Sequence, residues 1–239
     1  MIRNSPFAGV HERMGARFAH YGQWRMPSDY GDPAAEVQAL REGCAAFDLS
    51  SFGRVTVRGA GADALMTAVC DGAALPFEGQ WAAVGPLVGS GNAGPLRVAA
   101  LRDGYMVLTP PDRCEPVLQA LLSEAQRTGN RDVQVADVTE KTAMLGLYGP
   151  RSFEAVASIL PIDVCDLEPG TVVSQSVMML PITVLRGSWV GCDGLELICP
   201  ASAAPMAAGA LAKYHKQQHI TPGGMDCLLS AMGGDQDLR

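Results

Sequence analysis

The sequence contains no long uninterrupted apolar run and no cluster of basic residues. Its most apolar segment, residues 172–185, is interrupted by serine, glutamine and proline, so it predicts core strands rather than a membrane span. The first 18 residues lack the apolar run and the small-residue cleavage site of a secretion signal. A formal net charge of −7, without a stripe of lysine or arginine, does not suit binding to nucleic-acid phosphates. We therefore expect a cytoplasmic protein whose partners include neither a membrane nor a nucleic acid.

Paired cysteines and the common nucleotide-binding motifs are missing as well. The seven cysteines form no CxxC pair, and an odd number cannot all be bridged within one chain. Such scattered cysteines are typical of small buried side chains in a cytosolic protein, and their spacing does not suit a metal site. The absence of GxGxxG and of a Walker loop excludes the usual dinucleotide and P-loop sites. No catalytic triad or Cys–His pair stands out, so the catalytic residues stay unknown and no metal is expected.

His215 and His219 form the histidine pair whose spacing best suits a metal. They lie four residues apart near the end of a helix expected over 200–219, so they could share one face. Lys213 and Lys216 are interleaved with them, which favours a solvated helix end instead.

The hydrophobic pattern predicts alternating strands and helices. Asp32 and Pro33 are residue types that begin a helix, and Gly43 falls near its end. The other expected elements are a half-buried strand over 54–59, a helix over 61–70, a hairpin over 96–110 turning at Asp103-Gly104, a helix over 111–129 capped by Asp112 and ended by Gly129, a strand over 141–150, a helix over 151–160, two or three strands over 172–200 and an alanine-rich last helix over 200–219.

This order of elements predicts an α+β fold with mainly antiparallel sheets. Residues 54–127 and 143–217 repeat the order strand, helix, hairpin pair and long helix, so we expect two similar α+β halves. We expect 1–30 to be an N-terminal segment that packs on the core, 31–140 to be the first half and 141–239 to be the second.

Residues 26–66 closely resemble the N-terminal part of the glycine cleavage system T-protein family, the tetrahydrofolate-dependent aminomethyltransferases. The family's "MP.xY" turn corresponds to Met26-Pro27 and Tyr30. Its "FDVSHMG" segment corresponds to "FDLSSFG" at 47–53, and its "V.GPDA" step corresponds to "VRGAGA" at 57–62.

The resemblance continues through the second half of the chain. "MLGLYGPRS" at 144–152 is similar to the family's "LQGP" turn, and "RGSWVGCDGLE" at 186–196 is similar to its "RTGYTGEDGFE" segment. "ITPGGMDCLLSAM" at 220–232 resembles a diverged "P.GLGARDTLR". The resemblance implies the folate-binding fold of this family, and it implies that the family's C-terminal β-rich domain is absent.

The resemblance also implies four folate contacts. Glu196 matches the acid that holds the pterin ring, and a carboxylate can accept hydrogen bonds from the 2-amino group and N3–H of a pterin. An exposed strand glutamate is the alternative. Trp189, in place of the motif tyrosine, could stack on a planar ring or pack as core. Phe52 replaces a methionine and keeps an apolar surface, and Arg186 matches a family arginine or is a solvated strand-end charge.

Three other positions depart from the family. In relatives two adjacent aspartates, one of them central to aminomethyl transfer, stand where this sequence has Pro95 and Leu96. The side chains of proline and leucine neither donate nor accept hydrogen bonds and carry no charge. Thr109 replaces an asparagine and keeps a hydroxyl without the amide, and Leu228 or a neighbour replaces an arginine. Because Leu96 and Thr109 occupy folate-site positions of the family, they are also expected to contact the folate. Transfer chemistry in its usual form is therefore not expected.

Two hypotheses remain open. The first is a diverged tetrahydrofolate-binding transferase of methyl or aminomethyl groups, with folate and a small one-carbon donor as its partners; the apolar residues Pro95 and Leu96 would suit a methyl donor. The second is a non-catalytic binding or assembly subunit that works with a partner chain supplying the missing C-terminal domain, as the small subunits of some sarcosine oxidases do.

Overall fold

The computed structural model describes residues 2–91, 93–160, 163–177, 179–214 and 219–233. Up to residue 140 the elements are β1 (Arg3–Asn4), α1 (Ala8–Arg13), β2 (Arg17–Tyr21), β3 (Trp24–Asp29), α2 (Pro33–Glu42), β4 (Cys44–Asp48), β5 (Phe52–Arg58), α3 (Ala62–Val69), β6 (Trp81–Val84), β7 (Leu96–Leu101), β8 (Gly104–Pro111), α4 (Cys114–Arg127) and β9 (Gln134–Asp137). They continue with β10 (Thr142–Tyr148), α5 (Ser152–Ile159), β11 (Val172–Val177), β12 (Leu180–Arg186), β13 (Gly194–Pro200), a 3-10 turn (Ala201–Ala203), α6 (Ala204–Tyr214), β14 (Ile220–Gly223) and α7 (Met225–Met232).

The chain divides into two compact units. Unit 1 comprises Met1–Ser50, Lys141–Pro169 and Ser174–Arg239, and unit 2 comprises Ser51–Glu140 and Gly170–Val173. Residues 31–50 therefore lie in unit 1, whereas the sequence-based ranges grouped them with 51–140. The reason is strand pairing, because β4 lies between β10 and β14 in one sheet.

Unit 2 is built on a five-stranded sheet in the order β6-β7-β8-β5-β9, and its neighbouring strands are antiparallel. Alternation along β5 puts Val55 and Val57 on one face. There they pack in a core with Leu65 and Met66 of α3 and Leu121 of α4.

Unit 1 contains a three-stranded sheet, β1-β3-β2, and a six-stranded sheet, β11-β12-β13-β10-β4-β14. In the larger sheet β14 runs parallel to β4, whereas the pairs β4–β10, β10–β13 and β12–β13 are antiparallel. One face of this sheet contributes Leu147, Val184 and Leu195 to a core that also contains Val156 of α5. The opposite face carries Gly146 of β10 and the residue paired with it, Glu196 of β13.

The two larger sheets share one strand arrangement. The five-stranded sheet contains the run β5-β8-β7-β6, and the six-stranded sheet contains the equivalent run β10-β13-β12-β11. In both runs the first strand in sequence lies beside the last strand of the hairpin that follows it. One helix follows the first strand (α3 or α5), and another follows the hairpin (α4 or α6). The predicted α+β fold of two similar, mainly antiparallel halves is confirmed.

Local sequence signals located several elements correctly. Asp32 caps α2, since its Oδ1 accepts a hydrogen bond from the backbone N–H of Ala35 at 3.0 Å, and Pro33 is the first helical residue. The β7–β8 hairpin turns where predicted, with Leu101 paired to Gly104. The segment over 172–200 forms three strands.

Three local predictions are wrong. Asp112 does not cap α4: the helix follows Arg113 without a side-chain cap, and Asp112 has a left-handed backbone (φ 61°), which aspartate tolerates because its short side chain can bond locally. The alanine-rich helix α6 is not the last, because α7 follows it. His219 directly precedes β14 instead of lying on α6, and His215 is outside the described residues.

Among the described residues, no helix has both the length and the apolar character needed to cross a membrane.

Candidate functional site

Glu196 lies in the middle of β13, opposite Gly146 of β10 and Leu185 of β12. The residue is fully buried, so the expectation of an exposed strand glutamate does not describe it. The hydroxyl of Tyr148 donates a hydrogen bond to Glu196 Oε1 at 2.7 Å. A buried carboxylate is costly unless it is hydrogen-bonded, and a bond to an ionised acceptor is among the stronger ones.

Glycines make room for the ring of Tyr148. A Cβ atom at Gly194 would lie 2.6 Å from Tyr148 Cδ1, and one at Gly146 would lie 2.9 Å from Tyr148 Cζ. Both distances are too short for any side chain. On the same side, the Phe47 ring lies 5.6 Å from the Tyr148 ring, tilted by 38°. Glu196 therefore lies beside a tightly packed aromatic pair.

Arg186, at the end of β12, is held by its neighbours in unit 1. Its Nη2 lies 2.9 Å from Asp193 Oδ2 and its Nε 3.4 Å from Asp193 Oδ1. The guanidinium also donates to the carbonyl of Leu167 and lies 4.6 Å from the centre of the Phe153 ring. Arg186 thus fastens the base of the β12–β13 connection, on the same hairpin as Glu196.

Trp189 lies in the connection between β12 and β13 and is half-buried. It lines an open groove of about 1000 Å³, together with Arg41, Pro150, Cys192 and Met232 among others. Burial raises the pKa of the Cys192 thiol, although the hydroxyl of Ser188 acts in the opposite direction. The thiol is thus not activated as a nucleophile.

The other three predicted site residues, Phe52, Leu96 and Thr109, are fully buried in unit 2. Leu96 begins β7 and belongs to the core that contains Val55 and Leu121. Thr109 donates its hydroxyl to the carbonyl of Pro110 at 2.9 Å. Phe52 and Thr109 lie at the same end of the β5–β8 pair, so the structure brings these two together.

Arg54 is a buried cation that the sequence pattern did not single out. Its Nη1 donates to the carbonyl of Phe52 and its Nη2 to the carbonyl of Thr139, each at 2.6 Å. Its backbone N–H donates to Thr139 Oγ1 at 3.0 Å. The sequence predicted a half-buried strand here and assigned no role to Arg54, whereas Arg54 ties the start of β5 to the segment after β9.

A second buried acid, Asp48 at the end of β4, was also missed. Its Oδ2 accepts hydrogen bonds from the Ser5 hydroxyl and from His11 Nε2, the latter at 2.9 Å, and its Oδ1 accepts one from the Ser50 N–H at 2.9 Å. Tyr30 Oη lies 2.7 Å from His11 Nδ1. With His11 protonated at Nε2, every one of these contacts has a donor and an acceptor.

The surroundings of Asp48 are closed. Burial would raise the pKa of Asp48, but the hydrogen bonds from His11, Ser5 and Ser50 lower it below the usual value. The adjoining cavity holds only about 20 Å³, room for about one water molecule. This cluster therefore joins the N-terminal segment to β4 and has no space for an organic ligand.

Comparison with known proteins identifies relatives along almost the whole chain. The model of the GCVT N-terminal domain family matches residues 7–231. An aminomethyltransferase of Cutibacterium acnes is 28% identical, with 95% of this chain and 63% of that protein covered. A probable aminomethyltransferase of Natronomonas pharaonis is 31% identical, with 88% of this chain and 59% of that protein covered. The chain thus spans about three fifths of the length of these curated relatives.

Two solved structures share the fold. The glycine cleavage system aminomethyltransferase T from Bartonella henselae superposes with a TM-score of 0.83 at 22% identity, covering 97% of this chain and 62% of that one. A chain of the heterotetrameric sarcosine oxidase from Corynebacterium sp. U-96 superposes with a TM-score of 0.61 at 19% identity, covering 90% of this chain and 95% of that one.

Proposed function

Because the chain belongs to the GCVT N-terminal domain family, we propose that it binds a reduced folate through Glu196 and acts as a diverged, tetrahydrofolate-dependent one-carbon transferase. Its curated relatives are aminomethyltransferases, which supports this reaction class. A methyl or an aminomethyl group is the one-carbon unit to be transferred.

The buried carboxylate of Glu196 is the observation that carries the proposal. It lies on a central strand, is fully buried and accepts a hydrogen bond from a fixed tyrosine hydroxyl. An ionised carboxylate is an acceptor with two oxygens, and the 2-amino group and N3–H of a pterin present two donors side by side. The chemistry of this acid therefore fits the pterin ring.

The protein's contribution to the reaction is to bind and orient. A bound tetrahydrofolate would supply the nucleophilic N5 that accepts the one-carbon unit. Glu196 would fix the ring and Trp189 would stack on a planar part of the ligand. For Phe52, Thr109 and Arg186, contact with the folate remains a prediction. Leu96, a hydrocarbon side chain in the core of unit 2, has no proton to exchange, so the rate gain comes from proximity and orientation.

Titration of tetrahydrofolate into the chain, followed by tryptophan fluorescence and calorimetry, tests the proposal. Saturable binding is expected, and Glu196→Ala should weaken it about 100-fold, the loss of two hydrogen bonds to a charged acceptor. Glu154→Ala is the matched control, because Glu154 is an exposed glutamate of the same unit and should leave the affinity unchanged. A subsequent screen of methyl and aminomethyl donors then tests transfer.

A non-catalytic assembly subunit is the second candidate. It needs no proton transfer at position 96, where the hydrocarbon side chain of Leu96 lies in a hydrophobic core. The similar chain of the Corynebacterium sarcosine oxidase belongs to a heterotetramer, which supports a role beside a partner chain. Absence of tetrahydrofolate binding at millimolar concentration, together with co-purification of a partner that supplies further domains, would favour this candidate over the transferase.

A further inference from the structure

The bond between Tyr148 and Glu196 spans two residue positions along the sheet. Tyr148 is paired with Gly194, and Gly146 is paired with Glu196. Two positions along a strand correspond to about 7 Å, close to the length of a tyrosine side chain. The ring must therefore lie along the strands, over the position of Gly146, to bring its hydroxyl to the carboxylate.

The ring has almost no freedom to leave this position. Its Cδ1 and Cζ atoms occupy the space that side chains at Gly194 and Gly146 would fill, and the Phe47 ring packs at 5.6 Å. Both Tyr148 and Glu196 are fully buried. The hydroxyl is thus a fixed donor, and the carboxylate that accepts from it has a defined orientation.

Orientation of a glutamate before a ligand arrives has a thermodynamic consequence. A free glutamate loses rotamer entropy when it is ordered. Where the fold has already ordered the side chain, ligand binding does not bear this cost. A carboxylate also has about four lone-pair sites, so one that accepts a bond from Tyr148 can accept bonds from other donors as well.

We propose that Tyr148 is a positioning residue that orients Glu196 toward the 2-amino group and N3–H of a pterin ring. The proposal rests on the proposed function of Glu196. Tyr148 acts through the carboxylate, so the selectivity for the 2-amino group, and not merely the overall affinity, depends on its hydroxyl.

The test compares two ligands in four chains. The ligands are tetrahydrofolate and its analogue with a methyl group in place of the 2-amino group, which removes donors that Glu196 would meet. The chains are the native protein, Tyr148→Phe, Glu196→Ala and the matched control Tyr105→Phe. Tyr105 donates to a carboxylate, that of Asp63, at 2.8 Å but lies in unit 2. Calorimetry gives both affinities, and thermal unfolding reports the fold.

The native chain and Tyr105→Phe should prefer tetrahydrofolate, and Tyr148→Phe should lose about 10-fold of that preference, the size of one hydrogen bond to a charged group. An equal loss of affinity for both ligands would mean that Tyr148 only supports the fold and would overturn the positioning role. An unchanged preference in Tyr148→Phe would also overturn it while leaving the role of Glu196 intact. A native chain without any preference would overturn both proposals.

A second pair of variants covers a failure of Tyr148→Phe to fold. Glu196→Gln removes the buried charge and keeps a carbonyl oxygen that can accept from Tyr148. The double variant Tyr148→Phe/Glu196→Gln then lacks the fixed donor without leaving a buried charge. A smaller preference for tetrahydrofolate in the double variant than in Glu196→Gln supports the proposal, and equal preferences overturn it.

Discussion

The buried cluster around Asp48 makes a quantitative prediction about stability. The change is Asp48→Asn, which keeps the size of the side chain but replaces one acceptor oxygen with a donor NH₂ group. In the native chain Oδ2 serves Ser5 and His11, and Oδ1 serves the Ser50 N–H. Whichever way the asparagine amide turns, its NH₂ group faces at least one donor that has lost its acceptor.

The size of the effect follows from these contacts. At least one buried donor is left unsatisfied, at about 1–3 kcal/mol, and the remaining bonds become neutral rather than charge-assisted. Because Asp48 is almost fully buried, bulk water does not reach the position of the lost acceptor. We expect the free energy of unfolding of unit 1 to fall by about 3 kcal/mol.

Hydrogen exchange in increasing urea, resolved for β4 and β10, measures this free energy within unit 1. Asp226→Asn is the control: at an exposed site of the same unit it exchanges the carboxylate that accepts from the Tyr21 hydroxyl for a neutral amide, and it should change stability by less than about 0.5 kcal/mol. The lowered pKa of Asp48 adds a second signature. Its stabilising contribution is present above the unfolded-state pKa and is lost as the pH falls through the folded-state value, so the acid loss of stability should be smaller in Asp48→Asn. Equal stabilities for the two variants would refute the reasoning.

Three further outcomes follow from buried or exposed side chains. Burial raises the pKa of Glu36, so this group's contribution to stability is present below the usual glutamate pKa and is lost as the pH rises. The free energy of unfolding in urea should therefore fall less between pH 5 and 7 in Glu36→Gln than in the native chain, and parallel curves would contradict this. Leu96→Asp should lower the free energy of unfolding of unit 2, measured in urea, by at least ~3 kcal/mol, whereas the same change at the exposed Val88 should alter it by no more than ~0.5 kcal/mol. A loss as small for Leu96→Asp as for Val88→Asp would place Leu96 outside the core. The exposed Cys165 should be the thiol that is labelled fastest, whereas Cys44, whose pKa burial raises to about 12, should react slowly. Cys165→Ser should remove the fast phase of labelling, and a fast phase that survives in this variant would contradict its assignment to Cys165.

Local signals were sufficient for the elements whose ends are determined by neighbouring residues. The Asp32-Pro33 start of α2 and the turn before Gly104 each depend on residues a few positions apart, and both were predictable. The grouping of 31–50 with unit 1 was not, because it depends on β4 pairing with strands about 100 and 175 positions later in the chain. The failed cap at Asp112 has a backbone cause, since a left-handed φ at that residue makes Arg113 the residue before the helix.

The candidate site was predictable only where a motif carried it. Glu196, Trp189 and Arg186 were found together because one segment of the chain contains them all. The contact of Glu196 with Tyr148 requires the register of β10 against β13, and the contact of Asp48 with His11 requires the docking of the N-terminal segment. Neither is encoded by spacing along the sequence. The alternating pattern of β5 likewise could not reveal that Arg54 points into a buried set of carbonyls.

Buried acids in this chain differ in what their hydrogen bonds join. Asp48 connects β4 to the N-terminal segment, and Glu36 accepts from the backbone N–H groups of Tyr30 and Gly224, which lie in segments far apart in sequence. The bond of Tyr148 to Glu196, by contrast, joins two strands that are already paired from residue 142 to residue 148. It is therefore unnecessary for holding the strands together.

A buried polar pair that the fold does not need should be replaceable without loss of stability. The double variant Tyr148→Phe/Glu196→Leu exchanges the pair for apolar groups of similar size, and such exchanges are often neutral or stabilising by about 1–4 kcal/mol. We expect urea unfolding of unit 1 to show undiminished stability while tetrahydrofolate binding is lost. A destabilisation as large as that of Asp48→Asn would instead assign the pair to the fold. Retained stability with lost binding would mean that the charge is kept at position 196 for its ligand.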